Sequence, residues 1–126
     1  MASRILIVDD NRDTLEMLSA LLTDSGYETV SASTAAETKS RIAAQRFDLI
    51  TLDTWLPDGD GVELCRELRL QLPDLPIVFL SGAVLPTDLD KAAEAGCSAY
   101  LTKPCAVDEL TQVIERLVSL TKREDR

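Results

Sequence analysis

The sequence predicts an α/β domain, a doubly wound five-stranded parallel sheet held between two layers of helices as a three-layer sandwich. Two patterns point there. Short, nearly continuous apolar runs recur at Ile5-Leu6-Ile7-Val8, Phe47-Asp48-Leu49-Ile50-Thr51-Leu52, Pro76-Ile77-Val78-Phe79-Leu80 and Ala99-Tyr100-Leu101-Thr102. Strands covered on both faces read this way, because both alternating sets of side chains are buried. Between the runs, apolar residues recur at the spacing of a helix with one buried face. The alternation of strand and helix repeats five times, and right-handed crossovers then put helices on both sides of the sheet.

The elements follow in order. After the first strand, Leu15, Leu18, Leu21 and Leu22 share one helical face. Residues 27–32 alternate with polar residues and read as an edge strand. Thr34 and Glu37 form a candidate capping box for a second helix carrying Ile42 and Ala43. The strand at 47–52 precedes a third helix with Val62, Cys65, Leu68 and Leu72 along one stripe. The strand at 76–80 precedes a shorter helix with Leu89, Ala92 and Ala93, which stops at Gly96. The strand at 99–102 precedes the strongest stripe, Leu110, Val113, Ile114 and Leu117. One domain is expected over residues 1–121. Lys122-Arg123-Glu124-Asp125-Arg126 reads as a frayed tail or the start of a linker.

A chain of 126 residues suits one domain. At this size a chain buries roughly two thirds of its unfolded surface and needs no covalent staples. Lys and Arg number 13 against 22 Asp and Glu, a net charge of -9. Without a basic surplus to displace counterions, direct nucleic-acid binding is not expected. No apolar run approaches the ~18 residues of a membrane span. Met1-Ala2-Ser3-Arg4 runs straight into Ile5 without the apolar stretch of a signal peptide. Three cysteines, an odd number without paired spacing, fit a reducing cytoplasm. The chain has no His, which removes Ser-His and Cys-His nucleophile pairs, His metal ligands and a phosphohistidine.

Ligands of open α/β sheets bind at the carboxyl ends of the strands. Asp9 and Asp10 follow the first strand, Asp53 the third, Ser81 the fourth, and Lys103 with Pro104 the fifth. Taken singly, each is an ordinary turn residue, helix cap or solvated loop charge. Together they form a set suited to phosphoryl chemistry. Two carboxylates about 4 Å apart repel by about 4 kcal/mol at an effective dielectric of ~20, so three in one place call for a cation. Few, hard oxygen ligands suit Mg²⁺. Lys103 brings a compact point charge for an anion, and Ser81 one hydroxyl donor. The expected ligand is a dianion bridged by a divalent metal.

The sequence resembles the response-regulator receiver domains of two-component signalling, the CheY-like superfamily, from about residue 4 to 120. The motifs that carry the likeness are Ile7-Val8-Asp9-Asp10-Asn11, Leu52-Asp53 with Leu56-Pro57-Asp58-Gly59-Asp60-Gly61, Leu80-Ser81-Gly82-Ala83, Glu94-Ala95-Gly96 and Tyr100-Leu101-Thr102-Lys103-Pro104. The resemblance implies a flavodoxin-like strand order of 2-1-3-4-5. It implies that Asp53 is the phosphoacceptor. It gives Mg²⁺ to Asp10 directly, to Asp9 largely through water, to Asp53, and to the main-chain carbonyl of Trp55. Ser81 and Lys103 would contact the phosphoryl oxygens, and the peptide before Pro104 is commonly cis. The implied donor is a histidine kinase or a histidine phosphotransfer protein. After transfer, Ser81 would move toward the phosphoryl group and Tyr100 turn inward. An output protein or domain would read the face of the fourth helix, fifth strand and fifth helix. The implied role is that of a regulatory phosphoacceptor rather than an enzyme, with at most slow self-phosphorylation and self-dephosphorylation.

Some residues depart from the family pattern. Cys105 stands where Phe is common. Ser98, Ala99 and Val113 lack the charges that pair receivers of winged-helix transcription factors, so those ion pairs cannot form. Three other functions fit the same topology less well. A Mg²⁺-dependent phosphatase with an aspartyl nucleophile needs an acid two residues after it, and Asp53 is followed by Thr54 and Trp55. A flavin binder needs a hydroxyl- and Gly-rich loop after the first strand, where Asp9-Asp10-Asn11-Arg12-Asp13 stands instead. A pseudo-receiver that binds partners without being phosphorylated would not need the complete set of acids, Ser81 and Lys103. Trp55 is expected to be half-exposed. Cys65 belongs to the core, Cys97 and Cys105 have no redox or metal role, and Asp58 and Asp60 lie in a solvated turn.

Overall fold

The computed structural model describes residues 2–83 and 85–124. Along the chain run β1 (Arg4–Val8), α1 (Arg12–Asp24), β2 (Glu28–Ala32), α2 (Ala35–Ala44), β3 (Leu49–Leu52), β4 (Trp55–Leu56) and β5 (Gly59–Asp60). They are followed by α3 (Gly61–Gln71), β6 (Ile77–Ser81), α4 (Pro86–Glu94), β7 (Ala99–Thr102) and α5 (Val107–Glu124). The main sheet has the order β2-β1-β3-β6-β7 with every neighbour parallel. This is the expected 2-1-3-4-5 order once β4 and β5 are set apart. Those two form a short antiparallel ladder just after β3 that the sequence pattern did not announce. Of the tail, α5 continues through Glu124, while Asp125 and Arg126 lie outside the described residues. Among the described residues no helix is long and apolar enough to cross a membrane.

Alternate residues of each strand feed two separate cores. Leu6, Val8, Ile50, Leu52, Ile77 and Phe79 meet Leu64, Cys65 and Leu68 of α3 and Ala92 of α4. Ile5, Ile7, Leu49, Val78, Leu80 and Leu101 meet Leu18 and Leu22 of α1 and Leu110, Ile114 and Val118 of α5. Helices therefore cover both faces, and the central strands β1, β3 and β6 carry no polar face, whereas edge strand β2 alternates Val30 and Ala32 with Thr29 and Ser31. Burying each such Leu or Ile contributes roughly 1.5–3 kcal/mol relative to leaving it exposed.

Side-chain caps define the helix starts. Asn11 accepts from the Thr14 amide at α1, Thr34 from Glu37 at α2, and Asp60 from Val62 at α3. The carboxylate of Glu37 reaches the Ser33 amide at 2.9 Å, one residue ahead of the position a capping box uses. At α4, Pro86 occupies the first turn and Asp88 accepts from the Leu85 amide at 3.0 Å.

Two sequence expectations are corrected. The buried residue of α2 is Thr38, whose hydroxyl donates to the Thr34 carbonyl at 2.8 Å, while Ala43 is exposed. Short α4 buries Ala92 and leaves Leu89 41% exposed, because it meets the sheet along its alanine edge. Asp58 and Asp60 lie in an exposed turn, as expected, and both carboxylates also bond to the main chain. Asp58 accepts from the Ala35 and Ala36 amides at 2.7 and 3.0 Å, which holds its carboxyl below the usual range and ties the turn to α2.

Gly61 starts α3 directly against the main chain of Asp53 and Thr54. A Cβ at Gly61 would lie 1.9 Å from the Asp53 carbonyl oxygen, and the Gly61 amide donates to the Thr54 carbonyl at 2.8 Å. The obstacle is backbone, so nothing can rotate away. Gly61→Ala is expected to cost about 1–3 kcal/mol in urea unfolding, the usual penalty for overpacking. An unchanged midpoint and slope would show that this approach is looser than described.

Candidate functional site

Sheet register assembles the site. Val8 pairs with Leu52, so Asp9 and Asp53, the next residue of each strand, emerge side by side, and the Asp53 amide donates to the Val8 carbonyl at 3.2 Å. Ser81 pairs with Thr102, and the Lys103 amide donates to the Ser81 carbonyl at 2.8 Å. Continuing the β3–β6 register past Leu52 and Phe79 brings Thr54 level with Ser81. A one-residue slip in any pair would send these side chains to the opposite face.

The carboxylates of Asp9, Asp10 and Asp53 each place an oxygen within 4.8 Å of the others. Asp9 is 2% exposed, and both its oxygens are engaged, one by the Asn11 amide at 2.9 Å and one by Lys103 Nζ at 2.5 Å. Lys103 Nζ lies 3.7 Å from Asp53 Oδ2. Asp10 is exposed on the outer side. Burial pushes the Asp53 carboxyl above the usual carboxylate range; Lys103 opposes this, Asp9 and Asp10 add to it, and the Trp55 amide at 3.4 Å partly relieves it. One ammonium thus faces three carboxylates, which leaves a local excess of negative charge. Hard oxygen donors gathered this closely fit Mg²⁺ and do not fit a soft thiolate-seeking metal.

Ser81 closes β6 and is fully buried. Its Oγ lies 2.5 Å from Thr54 Oγ1 and accepts from the Ala83 amide at 3.1 Å. Tyr100 is half-buried, tilted against Phe79 with ring centroids 5.6 Å apart, and donates to the Ala83 carbonyl at 2.5 Å. Its hydroxyl is therefore already turned toward the β6–α4 loop. Burial raises the Tyr100 pKa, and hydrogen bonding with Ser81 pulls the other way. The Lys103-Pro104 peptide is cis, as the resemblance implied. Trp55 is 69% exposed, more than the half-exposure expected, and its main-chain amide reaches Asp53.

The residues singled out from sequence divide into two groups. Asp9, Asp10, Asp53 and Lys103 form one charged cluster, while Ser81 and Tyr100 meet around Ala83. The Trp55 side chain points outward, leaving its main chain on the Asp53 loop. Sequence reading missed Thr54, whose neutral side chain carries no motif signal, and the close approach at Gly61, although that glycine stood in the motif. It also missed Arg69. Its guanidinium donates to the Gly96 carbonyl at 2.9 and 2.7 Å, and to the carbonyls of Leu72, Pro73 and Leu75 at 3.1, 2.9 and 2.6 Å. A cation thereby joins the carboxyl ends of α3 and α4, where the helix dipoles favour it. Cys65 is buried, as expected for a core residue, and Cys65, Cys97 and Cys105 are all free thiols.

Comparison with known proteins agrees with this geometry. The family model of the response regulator receiver domain matches residues 5–115. Response regulator MprA of Mycobacterium bovis (strain BCG / Pasteur 1173P2) is 38% identical over 125 residues, covering 99% of this chain and 54% of that protein. The chain therefore spans about half the length of the curated relatives it matches. The crystal structure of a CheY-like response regulator receiver domain protein from Methanospirillum hungatei JF-1 superposes with a TM-score of 0.94 at 30% identity, covering 98% of this chain and 99% of that one. The signal receiver domain of a signal transduction histidine kinase from Syntrophus aciditrophicus gives a TM-score of 0.91 at 34% identity, covering 97% and 94%. With a matching family model, matching fold and acidic cluster at the carboxyl edge of the sheet, the chain belongs to the response regulator receiver domain family of two-component signalling.

Proposed function

We propose that Asp53 accepts a phosphoryl group from a phosphohistidine on a partner, and that the resulting acyl phosphate alters a partner-binding surface. The observation that supports this most is the meeting of Asp9, Asp10, Asp53 and Lys103 on one rim, with Asp53 following a central strand. An Asp53 carboxylate oxygen attacks phosphorus; the oxygen–phosphorus bond forms as the bond to the imidazole nitrogen breaks, and the imidazole leaves with that electron pair. The protein contributes position and charge neutralisation, which is most of what phosphoryl transfer requires. Asp9, Asp10, Asp53 and the Trp55 main-chain carbonyl would hold Mg²⁺, which would supply positive charge for the phosphoryl oxygens. Lys103 serves the same oxygens from the other side, on a stem flexible enough to leave Asp9. Ser81 provides a hydroxyl donor.

The phosphoryl group adds about -1.5 to -2 charges at this rim. Ser81 and Tyr100 pass the change to the face of α4, β7 and α5, where Leu85, Leu89 and Val107 are exposed. Such coupling is worth roughly 1–3 kcal/mol, enough to shift a partner equilibrium. We read residues 1–121 as one receiver unit working in the cytoplasm. Its donor is a histidine kinase or histidine phosphotransfer protein, and its output is a protein or attached domain rather than nucleic acid. Its own chemistry is limited to slow self-phosphorylation from small donors and self-dephosphorylation. Thr54 and Trp55 offer no acid for rapid phosphatase turnover.

Asp53→Asn is expected to abolish acid-labile labelling by acetyl phosphate while retaining the fold, and persistent label would remove Asp53 from the role. The same variant tests the electrostatics without metal. Because the folded-state pKa of Asp53 is raised, ionising it lowers stability as pH climbs from the ordinary value of 3.8 through the raised one. Asn stays neutral, so the variant should gain on wild type across that window and hold a constant lead above it. Urea unfolding at a series of pH values, with chelator present, measures the difference.

Magnesium should stabilise the wild type by mass action, about 1.4 kcal/mol at roughly ten times its dissociation constant. Asp10→Ala should lose most of that gain. Trp55 fluorescence reports the binding, and equal stabilisation of both proteins would sink the ligand assignment.

A further inference from the structure

We propose that Thr54 is a positioning residue of the phosphoryl switch: its hydroxyl holds Ser81 away from Asp53 and must be released before Ser81 can reach a phosphoryl oxygen. This rests on the reading of Asp53 as phosphoacceptor. Thr54 is 5% exposed and Ser81 fully buried, and their hydroxyl oxygens lie 2.5 Å apart. The Thr54 main chain cannot follow Ser81, because its carbonyl accepts from the Gly61 amide at 2.8 Å and Gly61 packs against its Cα. A serine hydroxyl has one proton and two lone pairs. The Ala83 amide already occupies one lone pair of Ser81. Ser81 has a single proton to give, so a proton shared with Thr54 must leave it before it can reach a phosphoryl oxygen. Among the described residues Thr54 Oγ1 has no other hydrogen-bond partner, so it would be left buried and unpaired, a state that buried hydroxyls resist. The hydroxyl at position 54 therefore opposes the switched position of Ser81 and sets how much phosphoryl binding must supply to reach it.

Thr54→Val keeps the shape and removes the hydroxyl, whereas Thr54→Ser keeps the hydroxyl. The probe is beryllofluoride with Mg²⁺, an acyl-phosphate mimic, titrated against Trp55 fluorescence of the full chain. Thr54→Val should bind it roughly tenfold more tightly, equivalent to about 1.4 kcal/mol. Thr54→Ser should match wild type. In a Ser81→Ala background Thr54→Val should have no effect, a result that a merely structural role would not produce. In the metal-free protein the Ala83 amide resonance should move in Thr54→Val and stay in Thr54→Ser. Unchanged or weaker binding by Thr54→Val, a static Ala83 resonance, or tightening that survives Ser81→Ala would overturn the proposal. Wild type that binds no beryllofluoride would overturn the acceptor reading and this inference with it. Wild type that binds while Thr54→Val equals it would overturn this inference alone.

Discussion

The repulsion among Asp9, Asp10 and Asp53 is the constraint on which the rest of the structure depends. Left to itself, a chain would spread three carboxylates apart. Here the parallel ladders of β1, β3, β6 and β7 hold them together, because Asp9, Asp53 and Lys103 are each the first residue after a paired strand position and Asp10 is the next after Asp9. The strands must be buried on both faces to be that rigid, and two apolar layers meet this need. Lys103 arrives on β7, with β3 and β6 between it and the strand of Asp9, so the one ammonium of the cluster depends on the register of the whole sheet. Folding energy from the two cores thus offsets an electrostatic cost at the rim.

Most of this architecture was legible because it follows from local pattern. Continuous runs such as Ile5 to Val8 can only be strands with no wet face, and acids that directly follow such runs must fall on one edge. Elements whose role depends on distant partners were not legible. Leu89, Ala92 and Ala93 share a helical stripe, yet nothing in the stripe says that α4 docks through Ala92 alone of the three and leaves Leu89 and Ala93 exposed. Asp58 looks like a turn residue because its partners, the Ala35 and Ala36 amides, belong to another helix more than twenty residues away. Thr54 has no charge and no motif, and its meaning appears only when strand register sets it beside Ser81. The two-residue β4–β5 ladder is too short to leave a periodicity.

The hydroxyls of Ser81 and Tyr100 converge on one residue. Ala83 receives the tyrosine proton at its carbonyl and gives its amide to the serine. A single peptide segment therefore senses both side chains. Ser81 and Tyr100 are thereby tied through one residue of the β6–α4 loop. The pairing across Phe79 keeps the ring of Tyr100 against the core while its hydroxyl remains free to exchange partners.

Arg69 gives that loop something to act against. Its guanidinium fastens the residue that follows α4, Gly96, to the end of α3, and Gly96 accepts this only because its φ of +93° and bare Cα leave room for the arginine stem. A rod pinned at one end turns instead of sliding. The nine residues of α4 span about 13 Å, so a tilt about the pinned end is largest at Leu85 and Pro86, next to the loop that Ser81 and Tyr100 hold. Arg69 thus anchors α4 at its carboxyl end, and a tilt about that end would carry exposed Leu85 and Leu89 farther than buried Ala92.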